Sequence, residues 1–443
     1  MTAPTGPSDT SAQTATALVT GICSDLIRID TSNYGDGSGP GERKAAELVA
    51  GLLSDAGLDP ELLESEPGRA SVVARWSGED PSRDALLLHG HLDVVPAEAS
   101  DWAVHPFSGD VVDGDLWGRG AVDMKDMDAM ILANVLAMGR AGQRPARDVV
   151  LAFLADEEAG GMKGARHLVD TRPELFEGVT EAVSEVGGFS VEVAGSRAYL
   201  LQVAEKGLLW LRLTATGRPG HGSQVHDANA VTRLAGAVAR IGGHRWPMSL
   251  PASVEAFAEG YAALSGTALP IDDPAALEAE LGTTARWIRA TTQNTSTPTV
   301  LQAGYKHNVV PARASALVDC RFLPGDRDHV MRTIHELAGE GVEVEVVHED
   351  RALETTADGS LVEAMTAALQ AEDPGSAVLP YCLSGGTDNK HFDRLGIRGF
   401  GFAPLRLPAG FDFASLFHGT DERVPVASLE FGARTLGRFL RTC

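Results

Sequence analysis

The stretch Val149-Val150-Leu151-Ala152-Phe153-Leu154-Ala155-Asp156-Glu157-Glu158 decides how this chain is read. Its unbroken apolar run is what a strand buried on both faces of a sheet requires. It ends abruptly in acids. Consecutive residues at a strand end point in different directions. One glutamate can therefore bind a metal while its neighbour faces the water held there, the division of labour a metal-assisted hydrolase needs.

Working outward, other ligand-type residues stand at the ends of similar runs. His89 and His91-Leu92-Asp93 follow the apolar residues 85–88, and Asp123 follows the Gly-containing turn Leu116-Trp117-Gly118-Arg119-Gly120-Ala121-Val122. Glu185 follows residues 179–183, and His418 lies near the C-terminus. Open α/β sheets place their sites beyond the carboxyl ends of the strands, so these residues can share one crevice. Asp93, two residues past His91, is placed to hydrogen-bond its imidazole and fix the tautomer. Taken singly, each acid reads as a surface charge; their convergence is the signal. Oxygen and imidazole ligands without cysteine suit two zinc ions, with cobalt or manganese as substitutes.

A length of 443 residues exceeds one compact core and predicts two domains. The formal net charge of -24 argues against a nucleic-acid partner, which needs a basic surface. Cys23, Cys320, Cys382 and Cys443 show neither CxxC spacing nor a disulfide framework, which points to buried thiols and a cytoplasmic, reducing setting. Residues 1–14 carry no Lys or Arg and no apolar core, so they are expected to be a disordered tail and not a signal peptide. No apolar run is long enough to span a membrane.

Helical spacing over 15–29, 42–56 and 126–141 alternates with strand-like runs at 71–76, 85–89 and 149–155. This predicts an α/β catalytic domain with a central, mostly parallel sheet. The pattern then changes. Strands at 208–215, 314–322 and 342–347, with helices at 228–241 and 329–339, predict a smaller α+β domain over 206–350. Within it, 244–297 reads as irregular and partly helical, broken by prolines. A helix from 360, an apolar strand near 400–403 and a helix from 428 return to the first pattern. The catalytic domain thus spans 15–205 and 351–443, interrupted by an inserted domain.

Six motifs occur in order: Leu88-His89-Gly90-His91-Leu92-Asp93, Trp117-Gly118-Arg119-Gly120-Ala121-Val122-Asp123-Met124, Asp156-Glu157-Glu158, Gly220-His221-Gly222-Ser223, Ser384-Gly385-Gly386-Thr387-Asp388 and His418-Gly419-Thr420-Asp421-Glu422. In this set the chain resembles the cocatalytic-zinc metallopeptidase family of aminoacylases, glutamate carboxypeptidases, dipeptidases and succinyl-diaminopimelate desuccinylases. The resemblance runs from about residue 29 to the end. It implies a zinc-peptidase-like catalytic domain with an inserted lid and dimerisation domain. It also implies that His91 and Glu185 bind one zinc, Glu158 and His418 the other, and that Asp123 bridges both. Glu157 is then the general base, and Asp93, as the partner of the His91 imidazole, counts among the catalytic residues. A cis peptide between Asp123 and Met124 is part of the family pattern. His221 is implied to stabilise the oxyanion, reaching a partner subunit's site in a homodimer. Asn308, Arg321, Gly385 and Gly386 match substrate-binding positions, with Arg321 suited to clamp a carboxylate. The chain departs from the common Glu-Gly-Gly at Glu185-Val186-Gly187-Gly188.

The activity this implies is hydrolysis of the amide bond of N-acyl amino acids, or of small peptides with a free carboxylate. A desuccinylase or dipeptidase shares the same chemistry. An inactive metal-binding scaffold is the remaining class; the completeness of the ligand set argues against it.

Overall fold

The computed structural model describes residues 10–443. A ten-stranded mixed sheet forms the larger layer. Its order is Glu61–Glu66, Arg69–Trp76, Val149–Leu154, Ala85–His91, Val179–Ser184, Arg398–Gly401, Ser196–Glu205 and Leu353–Glu354; Phe189–Val193 and Ala377–Leu383 also pair with Ser196–Glu205. The centre is parallel: Ala85–His91 runs with both Val149–Leu154 and Val179–Ser184, which runs with Arg398–Gly401. The flanking strands add antiparallel pairs.

Every residue of Val149–Leu154 and Ala85–His91 is buried. The two faces divide by the two-residue period of a strand. Leu86, Leu88, Val149, Leu151 and Phe153 pack with the helices Thr10–Ile27, Lys125–Arg140 and Val426–Leu440. Leu87, Val150, Ala152 and Leu154 face the other way, toward Leu168, Phe176 and Phe392. The four cysteines are free and buried. Among the described residues, no helix is long and apolar enough to cross a membrane.

A separate four-stranded antiparallel sheet has the order Thr295–Ala303, Arg313–Phe322, Gly207–Thr216, Val342–Asp350. Arg313–Phe322 alternates buried and partly exposed residues, as one-sided packing demands. Its apolar side meets Ala230, Leu234 and Ile241 of the helix Ala230–Gly243 and Val330 and Ile334 of Arg327–Ala338.

Two expectations need correction. The tail expected over 1–14 overlaps a helix that starts at Thr10, with Ala15 fully buried; residues 1–9 lie outside the described residues. Alanine at 12 and 15 favours the helix, and the core covers its apolar face. The second correction concerns residues 252–289, part of the 244–297 stretch assigned above to the inserted domain. They form the helices Ala252–Ser265, Pro274–Leu281 and Ala285–Arg289. Val254, Phe257, Tyr261, Leu277 and Ile288 pack in the core of the large sheet instead, beside Leu379 and Tyr381. Proline starts the second of these helices, at its first turn where a missing N–H costs nothing.

Candidate metal centre

The register of the parallel strands sets the site. Leu154 pairs with His91, so Glu157 and Glu158 emerge beside the histidine. Ser184 ends the neighbouring strand, and Glu185 follows it. Gly90, between His89 and His91, has no room for a side chain: a Cβ there would sit 2.2 Å from Asp128 Oδ1. Asp123 is delivered by the turn through Gly120 (φ +89°), and its peptide to Met124 is cis. His418 and Asp156 both adopt positive φ (57° and 70°), rare for residues with a Cβ and a common mark of functional sites.

Asp123 stands at the middle. Its Oδ1 lies 3.1 Å from His91 Nε2, and its Oδ2 lies 3.2 Å from His418 Nε2. Glu185 Oε2 is 3.7 Å from His91 Nε2, and Glu158 Oε2 is 3.1 Å from His418 Nε2. Ligand atoms of His91, Asp123 and Glu158 lie within 4.8 Å of one another, as do those of His91, Glu157 and Glu185. One carboxylate thus faces two histidines, each paired with its own second acid. The buried Glu158 Oε1 has no hydrogen-bond partner. Two unit charges about 4 Å apart repel by about 4 kcal/mol at an effective dielectric of 20. A cluster of four acids therefore calls for cations beyond two histidines, and these donors fit divalent metals with nitrogen and oxygen ligands.

Protonation in the metal-free cluster shows the same pressure. Burial, with the Asp123 charge, pushes Glu158 up to about 8. Burial pushes Glu185 well above the ordinary carboxyl value. Hydrogen bonds to Asp123 and Glu158 push His418 up to about 10. Burial opposes charge on His91, but Glu185 and Asp123 hold its pKa well above the imidazole value. Burial opposes ionisation of Asp123 too, yet the two histidines keep it below the usual range.

Raised folded-state values contribute stability below the unfolded pKa and lose it as pH rises through the folded one. For Glu158 and His418 that loss runs through about 8 and about 10. The melting temperature of chelator-treated protein therefore falls as pH is raised from about 6.5 to 10. Metal-loaded protein, whose ligands bind deprotonated, does not share that fall. Thermal unfolding with and without chelator checks this, and identical pH profiles for the two forms contradict it.

Asp93 acts differently from the expectation. The partner of His91 Nδ1 is the Asp93 backbone carbonyl at 2.9 Å, and the carboxylate is 3.6 Å away. The tautomer that leaves Nε2 for metal is still favoured. The carboxylate instead accepts the backbone N–H of Glu157 (3.0 Å) and of Glu158 (3.1 Å), and an amide N–H of Asn33 (2.8 Å). It aims the two glutamates rather than the ring.

Glu157 lines a cavity of about 350 Å³ with Asp123, Glu158, Glu185, Gly385, Gly386 and His418. Burial raises its pKa, against the charge of Lys390. His89 is not among the ligands: it pairs with Asn389 at 3.0 Å, and burial lowers its pKa to about 4. His221 and Asn308 are exposed, on the neighbouring short strands Gly220–His221 and Val309–Val310 and the turn before the latter, and neither lines the cavity. Arg321 does not line it either; its guanidinium is engaged by Asp319 at 2.8 and 3.1 Å.

The site also contains residues the sequence did not reveal. Glu422 accepts the backbone N–H of Val122 and Asp123 and pairs with Arg119 at 2.5 Å, holding the Asp123 turn. Glu422 does close the His418 motif, a signal that could have marked it. Lys390 is buried and pairs with Asp350 at 3.4 Å, at the end of the second sheet's edge strand. Arg286 and Trp287 enter the cavity wall from the helical segment misassigned above.

The sequence signature described as Peptidase family M20/M25/M40 matches residues 87–442, which hold the whole cluster. The chain belongs to this peptidase family. Like its relatives, this M20 chain is a hydrolase of peptide and amide bonds. It is 29% identical over 389 residues to a probable carboxypeptidase S-like 2 of Dictyostelium discoideum, covering 80% of this chain and 71% of that one. It is 27% identical over 380 residues to aminoacylase-1 of Sus scrofa, covering 83% and 82%. Among solved structures, an M20 family metallo-carboxypeptidase of Sulfolobus solfataricus superposes with a TM-score of 0.72 at 19% identity, covering 96% and 98%. That likeness supports the mixed α/β fold.

Proposed function

We propose that this M20 hydrolase uses a dinuclear zinc centre to cleave the amide bond of N-acyl amino acids, or of small peptides with a free carboxylate. One observation carries the reading: Asp123 divides its two oxygens between two histidine–glutamate pairs, and Glu157 stands beside them. His91 and Glu185 would hold one ion and Glu158 and His418 the other, with Asp123 shared between them. When bound there, zinc, with cobalt or manganese as substitutes, would supply Lewis acidity for a carbonyl and for water.

The protein's own groups do the rest. Asp93 fixes the turn that aims Glu157 into the cavity. Glu157 takes the proton of the attacking water and passes it to the leaving amine nitrogen. Gly385 and Gly386 line the substrate's side of the cavity. The second sheet serves as lid and dimerisation surface, and His221 with Asn308, exposed and outside their own chain's cavity, suit residues that complete a partner's site in a homodimer.

A substrate panel on metal-reconstituted enzyme tests the activity. N-acetyl amino acids give the highest kcat/KM, ahead of dipeptides and N-succinyl-diaminopimelate. Preference for the succinyl compound selects the desuccinylase reading, and no cleavage of any of them contradicts the proposal.

A further inference from the structure

The cavity over the metal cluster has a wall of a different character from its floor. The floor is acidic. The wall is Val186, Trp287, Leu383 and Phe417, with Trp287 packed 5.7 Å from Phe417 and 4.8 Å from Phe189, ring centre to ring centre. Among the described lining residues, Arg286 is the one arginine or lysine. Its side chain is 59% exposed and pairs with the partly exposed Asp412, through a single nitrogen 3.2 Å from each carboxylate oxygen. Exposed pairs of this kind are weak and readily exchanged. Arg321, by contrast, is held by Asp319 through two nitrogens, and Asp319 also accepts the Trp210 indole N–H at 3.1 Å.

We propose that Arg286 recognises the free carboxylate of the substrate from within the same chain, displacing Asp412, while Trp287 receives an apolar side chain. The substrate class is then an N-acyl or peptidyl derivative of an apolar amino acid with its carboxylate free. The proposal rests on the amide-hydrolase reading above. The fork geometry of a guanidinium suits a carboxylate, and an aromatic wall beside it suits an apolar neighbour. Arg286 lines the same cavity as the acidic cluster, so a carboxylate held by it would orient the amine half of the substrate toward Glu157.

The test compares N-acetyl-phenylalanine with its primary amide, following release of acetate, in wild type, Arg286→Met and Arg321→Met. Wild type prefers the acid. Arg286→Met loses about 10–100-fold in kcat/KM on the acid, little on the amide, so the preference collapses. Asp412→Asn lowers KM for the acid by removing the competitor. Trp287→Ala narrows the preference for the phenylalanine derivative over the serine one. An unchanged acid-to-amide ratio in Arg286→Met overturns the proposal while leaving the hydrolase reading intact, as does a ratio that collapses in Arg321→Met alone. A wild type that cleaves none of these compounds overturns this proposal, and the hydrolase reading falls with it when dipeptides and N-succinyl-diaminopimelate are left uncleaved too.

Discussion

Glu157→Ala retains its metal and loses turnover. The expected fall in kcat is about 10²–10⁴-fold, the usual contribution of a positioned general base. Both glutamates line the cavity and both backbones are held by Asp93. Their side chains differ: Glu158 Oε2 lies 3.1 Å from His418 Nε2, in the same group as Asp123. Glu157 instead groups with His91 and Glu185, and that histidine already has Asp123 and Glu185 as carboxylate neighbours. Removing the Glu157 carboxylate leaves the paired ligands in place, so metal analysis of the purified variant matches wild type. Unchanged activity refutes the base assignment, and loss of metal with activity turns Glu157 into a ligand.

Asp123→Ala gives the opposite pattern. Each oxygen of Asp123 faces a different histidine, so one substitution weakens both positions. Bound metal is expected to fall from about two ions per chain to below one, and activity to disappear with it, because the proposed pair of ions would act as one clamp on the reaction. The variant also loses the stabilisation that bound ions give, about 4.1 kcal/mol for a ligand at a thousand times its Kd. Glu422 still holds the backbone of residues 122 and 123, so the fold around the turn persists. Metal analysis and thermal unfolding together check this; a variant that still carries two ions removes Asp123 from the bridging role.

The catalytic layer was legible because buried parallel strands leave an unmistakable trace. Val149–Leu154 and Ala85–His91 are apolar throughout, and the site residues stand where those runs stop. The convergence of His91, Asp123, Glu158, Glu185 and His418 was legible for the same reason, helped by ordered motifs. The role of Asp93 was misread because sequence spacing does not say which atom of a residue points at its neighbour: the backbone carbonyl reached His91, freeing the carboxylate for the glutamate turn. The placement of residues 252–289 was misread because a helix's apolar face names no partner. Phe257, Tyr261 and Ile288 could have covered either sheet, and only the fold shows that they cover the larger one. Arg286 and Trp287 were missed with them. Arg321 was placed by motif, but its neighbour Asp319, two residues away on the same face of the strand, engages it.

The central claim is that two cations meet among these distant side chains. Anomalous diffraction at the zinc edge, on crystals of the metal-loaded protein, tests it most directly. The account predicts two peaks about 3.5–4 Å apart, one between His91 and Glu185, the other between Glu158 and His418, with an oxygen of Asp123 on each and Glu157 on neither. No peak among these residues, or peaks held elsewhere with Glu157 turned away from the cavity, contradicts it.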